Sequence, residues 1–376
     1  MKPCNSKQED GFFFGNDEQT FAYRYRRGTV KRYATLKDVA ELAGTSVGTV
    51  SYVLNDKKDR YISDETRKKV LDAAKELEYV KSLGASSLKG KSRKLIAILI
   101  PQYENQFFTR IVIASERVFV KHGYDMIICN TLDSPERENA ILNRMIQQRV
   151  DGILITPTSK GAENTALARR VGMKMVVIDR ALAGVKEFFW VATHNYGLGF
   201  TGASHLFSKG HRRIGYVGWK SGIGDLDARR QAVFDAAAKW GIPHETIHVE
   251  EGEFSPREGY ELTKRILEKH PEITAIFYGF NVQALGGVNC LEEHGYSIPE
   301  DISVLIIGSP EWVSAGRNHF THLDMHDFEL GRKAANLLLS QITENDVPVQ
   351  HIIQECSLVE GTSVKDISKT LGGEKE

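Results

Sequence analysis

Along the 376-residue chain, the spacing of apolar positions changes character once, near Leu95. Before that point apolar residues recur at helical intervals. Val39, Ala40, Leu42 and Ala43 line one face of a first helix, and Val70, Leu71, Ala74 and Leu77 line one face of a third. After it they come in short unbroken runs: "LIAILIP" (95–101), "YDMIICN" (124–130), "VDGILITP" (150–157), "KMVVID" (174–179), "RIGYVGW" (213–219), "ITAIFYG" (273–279) and "ISVLIIG" (302–308). Helix-length segments separate the runs. Continuous apolar strands with helical crossovers predict parallel sheets covered on both faces, and there is enough chain for two such lobes. The segments "THLDM" (321–325) and "IIQECSLVEG" (352–361) are placed to return the chain to each lobe in turn. The predicted fold class is α/β: an N-terminal helix-turn-helix three-helix domain, then a two-lobed body of parallel sheets.

Capping residues punctuate the first region. Thr35-x-x-Asp38 has the spacing of a capping box, so Thr35 opens the first helix and Gly44 ends it. Ser46 caps a second helix running to about Leu54, and Asn55 to Arg60 form a polar loop. Ser63 caps the third, with Asp64 and Glu65 in the first turn, where the helix dipole favours acids. Tyr79 to Lys94 reads as a linker containing Leu83, Ala85 and Leu88. Met1 to Arg32 has no periodicity and is expected to be a disordered arm or the product of a wrongly assigned start, since Val30 to Thr35 would make an ordinary beginning. The expected divisions are 1–32 extension, 33–80 helix-turn-helix domain, 81–93 hinge segment, 94–366 two-lobed body and 367–376 disordered tail.

The second helix begins with Val47-Gly48, a weak start for a helix. Two short helices joined by a Gly-containing turn can place the second in the DNA major groove, with its first residues against base edges. A glycine there lets the backbone approach closely despite a cost of about 1 kcal/mol relative to alanine. Thr49 and Ser51 are short hydroxyl donors suited to phosphates, and Val47 suits a thymine methyl. On spacing alone, a small three-helix bundle with no DNA role remains an alternative.

Charge changes this picture. The whole chain has 49 basic and 49 acidic residues, but Tyr33 to Lys94 holds 13 Lys/Arg against 9 Asp/Glu. Arg24 to Arg32 adds five more basic residues and no acid. A basic end on an acidic body is the asymmetry expected when one end meets nucleic acid. The four cysteines are scattered without zinc spacing, and the three in or beside apolar runs read as buried reduced thiols. The start of the chain carries no signal-peptide pattern and no apolar run reaches a membrane span, so a cytoplasmic protein is expected.

The stretches "ATLKDVAELAGTSVGTVSYVLN" and "ISDETRKKVLDAAKELEYV" resemble the DNA-binding domain of the lactose/galactose repressor (LacI/GalR) family. The likeness continues through "ILIPQYENQFF", "QQRVDGILITP", "GHRRIGYVG" and "IPEDISVLIIG", from about Tyr33 to Val364. The resemblance implies a homodimeric regulator, a repressor, on a palindromic operator of double-stranded DNA. It assigns base reading to Val47, Gly48 and Tyr52, and further DNA contacts to Thr35, Ser46, Thr49, Ser51 and Asn55. The family's hinge motif falls on "KSLGASSL" (81–88), where Ser82, Ala85 and Leu88 contact DNA and Leu88 wedges into the minor groove. Lys81 and Ser82 replace the family's Pro and Asn, and Gly84 weakens the hinge helix.

The body resembles a periplasmic sugar-binding protein, with its ligand between lobes at the carboxyl ends of strands. Gln106, Phe107, Asp179, Trp219, Arg230, Phe280, Asn281 and Trp312 are the candidate effector-binding residues. By resemblance, Arg230 takes the place of the arginine that grips sugar hydroxyls or a carboxylate. For Arg230 the alternative is a salt bridge alone, and for Trp219 or Trp312 it is simple filling of the cleft. Several positions depart from the family: Gln106 stands for Pro, Phe280 for a ligand-binding Asn, Gly308 for a hydroxyl-binding acid, and Thr193-His194 for Val-Asp. An effector other than a simple unmodified sugar is therefore expected. The alternatives are control by a protein partner or no ligand at all, and a solute-binding protein without a DNA role. No phosphate-cradling glycine loop and no nucleophile–base pair appears, so neither an enzyme, a cofactor nor a metal is expected. Cys290 and His294, four apart, read as a core cysteine and an end-of-helix histidine.

Overall fold

Local hydrogen bonds shape the first unit. The computed structural model describes residues 33–55, 61–80, 92–315 and 319–368. The N-terminal extension, Ser82, Ala85 and Leu88 of the hinge, and nearly all of the 367–376 tail lie outside these. The chain divides into two units, 1–85 and 86–376. In the first, α1 (Leu36–Leu42) opens with a complete capping box: Asp38 N donates to Thr35 Oγ1 at 3.3 Å and Thr35 N to Asp38 Oδ2 at 2.7 Å. Gly44 reverses the chain with φ +62°, a conformation that glycine adopts without steric cost. Ser46 Oγ then accepts from Thr49 N at 3.1 Å to start α2 (Val47–Leu54), and Ser63 opens α3 (Asp64–Glu76). Val39, Ala40, Ala43, Val50, Val53, Val70 and Ala73 form the core. Leu42 and Leu71, expected in the core, are instead about half exposed (47% and 48%). Helices this short bury only a narrow stripe, and Ala43 and Ala73 occupy it.

The body has two six-stranded sheets. The first contains β1 (Leu95–Ile100), β2 (Asp125–Asn130), β3 (Gly152–Ile155), β4 (Met175–Ile178), β5 (Phe189–Thr193) and, late in the chain, β11 (His351–Gln354). Its order is β11-β5-β4-β3-β1-β2, with every neighbour pair parallel. The second contains β6 (Ile214–Trp219), β7 (Ile247–Gly252), β8 (Ala275–Tyr278), β9 (Ser303–Ile307), β10 (Thr321–Asp324) and β12 (Ser357–Val359) in the order β12-β10-β9-β8-β6-β7. Only β12 runs antiparallel to its neighbour. Segment 352–361 thus splits at Glu355-Cys356 and gives one strand to each sheet. Strands β5 and β7 add to the seven apolar runs. β7 is an edge strand, half-buried along most of its length, so its sequence "IHVEEG" lacks the apolar signature.

Crossover helices cover the sheets. Those that position the cleft are α4 (Gln106–Lys121), α5 (Asn195–Ser208), α6 (Gly224–Lys239), α7 (Pro256–Lys269), α8 (Asn281–Glu293) and α9 (Asp327–Thr343). One apolar cluster joins the two lobes, running from Ile98 and Phe107 through Leu198 and Met325 to Phe277. Cys290 is buried and Cys129 and Cys356 half-buried, all three as free thiols. His294 Nδ1 lies 2.8 Å from the Cys290 carbonyl at the end of α8. Among the described residues no helix is long and apolar enough to cross a membrane.

Candidate functional site

The exposed face of α2 is the first candidate surface. Only Val50 and Val53 of this helix are buried, so Ser46, Val47 and Gly48 stand exposed at its start. A Cβ built on Gly48 would meet nothing nearer than Ser46 Oγ at 3.6 Å. The fold therefore does not require glycine here. Thr49 and Ser46 share a hydroxyl contact of 2.9 Å. Asn55 closes the helix by donating to the Ser51 carbonyl at 2.6 Å, with Ser51 Oγ at 3.3 Å.

The second candidate is a small pocket between the lobes. Strand ends build it. Asp179 follows β4 with φ +66°, Trp219 ends β6, Phe280 follows β8, Ile307 ends β9 and Met325 follows β10. Asn105, which caps α4 by accepting from Phe107 N at 3.1 Å, brings Phe107 and Phe108 to the same space. The carboxyl ends of parallel strands are where such sheets bind ligands, because helix starts and strand ends converge there.

Three aromatic rings wall the pocket. Trp219, Phe254 and Phe280 stand 5.0–5.8 Å apart, two of the three pairs edge to face. Two guanidiniums lie against them: Arg180 5.3 Å over Trp219 and Arg229 4.5 Å over Phe280. Arg229 is buried, and its Nε donates to Asn195 Oδ1 (2.8 Å) and its Nη1 to the Gly279 carbonyl (2.9 Å). Asn195 in turn donates to Asp225 at 2.9 Å. Arg180 donates to Asp133 Oδ1 at 2.6 Å, while its buried Nε has no partner. Burial pushes the Asp179 carboxyl up, opposed by the Arg229 and Arg180 charges. Burial, with the Asp179 charge second, pushes Asp225 up to about 6. The arrangement offers an aromatic wall with two guanidiniums lying over its rings and the buried Asp179 carboxyl lining the same space.

Phe107, Asp179, Trp219, Phe280 and Asn281 line this pocket. Gln106 and Trp312 instead border an adjoining outer opening, which shares Asn105, Phe254 and Asn281 with it. Gln106 Oε1 accepts from Glu311 N at 2.8 Å, so it ties the lobes together at the mouth. Arg230 is a correction: it lines neither space, and its half-exposed guanidinium pairs with Glu251 on β7. Of the two neighbours, Arg229 is the one that lines the pocket, together with Arg180. The buried positions of α6 are Leu226, Arg229, Ala232, Val233, Ala236 and Ala237. Arg229 falls on that stripe and Arg230 a hundred degrees away, a periodic signal that could have identified it. Arg180, Phe254 and Asn105 were also missed. Where the family resemblance puts an acid at Gly308, a Cβ would meet Asn281 Nδ2 at 3.0 Å, so Asn281 fills that space.

A DNA-reading head on a two-lobed, ligand-binding body defines the class of ligand-responsive transcriptional regulators. Residues 35–82 match the lacI family of bacterial regulatory proteins, and residues 203–364 match a periplasmic binding protein-like domain. The chain is 30% identical over 335 residues to the HTH-type transcriptional repressor PurR of Mannheimia succiniciproducens, covering 89% of this chain and 100% of that one. It is 32% identical over 321 residues to PurR of Haemophilus influenzae, covering 84% and 94%. Among solved structures, a LacI-family regulator from Silicibacter pomeroyi superposes with TM-score 0.75 at 27% identity, covering 88% of this chain and 99% of that one. The lac repressor dimer bound to operator and the anti-inducer ONPF shares the fold, with TM-score 0.74 at 23% identity over 89% and 100%. The chain belongs to the lacI family, and is a DNA-binding transcriptional repressor with an effector-binding body.

Proposed function

We propose that this repressor works in the cytoplasm as a homodimer on a palindromic operator, with Val47, Gly48 and Tyr52 reading bases. In this reading Thr35, Ser46, Thr49, Ser51 and Asn55 hold the phosphates, and Leu88 enters the minor groove. Gly48 supports it: a glycine that weakens the helix start, where a Cβ would be accommodated by its neighbours, is accounted for by close approach of DNA.

The effector is a flat molecule with an anionic or carbonyl edge, seated against the wall formed by Trp219, Phe254 and Phe280 and met by Arg229, Arg180 and Asp179. The observation that carries this is the aromatic wall with two guanidiniums stacked on it. A polyol suits the pocket less well. Phe280 and Gly308 offer no side-chain partner for hydroxyls, and each unpaired buried hydroxyl costs about 1–3 kcal/mol. Two such losses move a micromolar sugar toward the millimolar range. No catalytic step is assigned to the body.

Gel-shift assays with genomic fragments around the protein's own gene test the reading. One palindromic fragment is expected to be retarded, and a flat anionic effector should change its affinity about 5–150-fold, in either direction. Retardation of every fragment alike, or of none, would reject the operator-specific role.

A further inference from the structure

Far from the ligand pocket, three metal-ligating side chains converge: His248, His270 and Glu272, whose donor atoms all lie within 4.8 Å of one another. His248 is the second residue of edge strand β7, paired in register with Gly215 of β6. His270 caps the carboxyl end of α7, and Glu272 lies two residues further on, before β8. The cluster therefore sits where β7 begins, whereas the ligand pocket sits where the strands end.

The distances carry the inference. Glu272 Oε1 is 3.4 Å from His248 Nε2 and 3.7 Å from His270 Nδ1. Both separations are longer than the roughly 2.7–2.9 Å of a charge-assisted hydrogen bond, so Glu272 pairs only loosely with the two rings. Two donors at 2.0–2.2 Å from one tetrahedral ion lie about 3.4 Å apart. The imidazoles stack with centroids 3.5 Å apart and planes at 12°, an arrangement that two protonated rings would oppose. Burial pushes the His248 imidazole down and His270 beside it adds to this, while the Glu272 carboxylate opposes both. Glu272 is held below the usual carboxylate range by its own backbone amide.

We propose that His248, His270 and Glu272 form a surface site for a first-row divalent transition metal such as zinc or nickel, clamping the end of α7 to edge strand β7. Two imidazoles and one carboxylate are the donor set such ions favour over magnesium or calcium, and three protein ligands leave a position for water. Binding turns the two rings apart about Cβ–Cγ, a broad torsion in histidine, until both planes meet at the ion. Arg213, whose charge reaches His248 and Glu272, keeps the affinity moderate. No metal spacing is visible along the chain because the ligands come from a strand, a helix end and a loop.

Calorimetric titration of zinc chloride and nickel chloride into the full chain, first stripped with EDTA, tests the site. One equivalent is expected to bind, and His270→Ala and Glu272→Gln should each weaken it by at least about tenfold while far-UV circular dichroism stays unchanged. In the wild type, zinc should also protect His248 and His270 from diethylpyrocarbonate, a readout independent of whether the variants fold. Equal binding by wild type and both variants, no binding at all, or unprotected histidines under saturating zinc would each overturn the proposal.

Discussion

The DNA-reading unit and the ligand pocket are held together over different distances along the chain. In the first unit, Thr35 bonds Asp38, Ser46 bonds Thr49 and Ser63 bonds Thr66 three residues apart, and Ser51 bonds Asn55 four apart. In the pocket, Asn195 meets Asp225 across 30 residues, Arg229 meets Asn195 across 34, Arg180 meets Asp133 across 47 and Arg229 meets Gly279 across 50. Short-range bonds make the head tolerant of single losses, because each cap contributes only about 1 kcal/mol. Long-range bonds make the pocket a linked network, in which removing one buried charge strands several partners.

Arg229→Ala breaks the network at its centre. It is expected to lower stability by about 3–5 kcal/mol in urea denaturation, because it uncouples Asn195 and the Gly279 carbonyl and leaves Asp179 with less opposing charge. Asp225→Asn acts in the other direction. Because the folded carboxyl titrates near 6, above its unfolded value, wild-type stability falls as pH rises through about 4 to 6 and stays lowered above. The variant should therefore be more stable than wild type at pH 8 by roughly 1–3 kcal/mol, with the gain vanishing below about pH 4. A variant less stable than wild type at pH 8 would contradict the raised carboxyl.

Changes in the head are smaller for folding and show in base choice instead. Tyrosine has one hydroxyl where an arginine has a fork, so Tyr52→Arg should add guanine preference at one base, about 1–3 kcal/mol in binding-site selection. No change at any base would remove Tyr52 from the reading positions. Ser46→Ala should cost about 1 kcal/mol of thermal stability through the lost cap on Thr49 N. Arg230→Ala, which opens only a half-exposed ion pair, should cost less than about 1 kcal/mol and leave ligand affinity unchanged. The contrast with its neighbour Arg229 is the sharpest check on which arginine faces the ligand.

The same difference in range explains what could be read from sequence. Thr35, Ser46 and Ser63 announce their caps because each partner lies three residues away. The seven apolar runs became strands because buried parallel strands are apolar on both faces. β7 escaped notice because an edge strand need not be apolar, and β5, "FWVAT", because its run of apolar residues is short. In the pocket, Asp179 and Trp219 were found because they sit at the ends of legible strands. Phe254 was not, since the strand before it was unseen. Arg229 and Arg230 are adjacent, and only the burial stripe of α6 separates them. Leu42 and Leu71 are placed inside by the helical spacing of apolar residues, which does not tell how wide a stripe three short helices can cover.

The central claim is that the interlobe pocket holds a flat, anionic or carbonyl-bearing effector gripped by Arg229 against the rings of Trp219 and Phe280. Calorimetric titration of the wild type and Arg229→Lys against nucleobases, aromatic acids, sugar phosphates and free hexoses tests it most directly. The account predicts a flat ligand bound in the roughly micromolar range, weakened about tenfold or more in the variant, and free hexoses held only at millimolar level. A simple hexose bound at low micromolar affinity, or a flat ligand indifferent to Arg229, would contradict it.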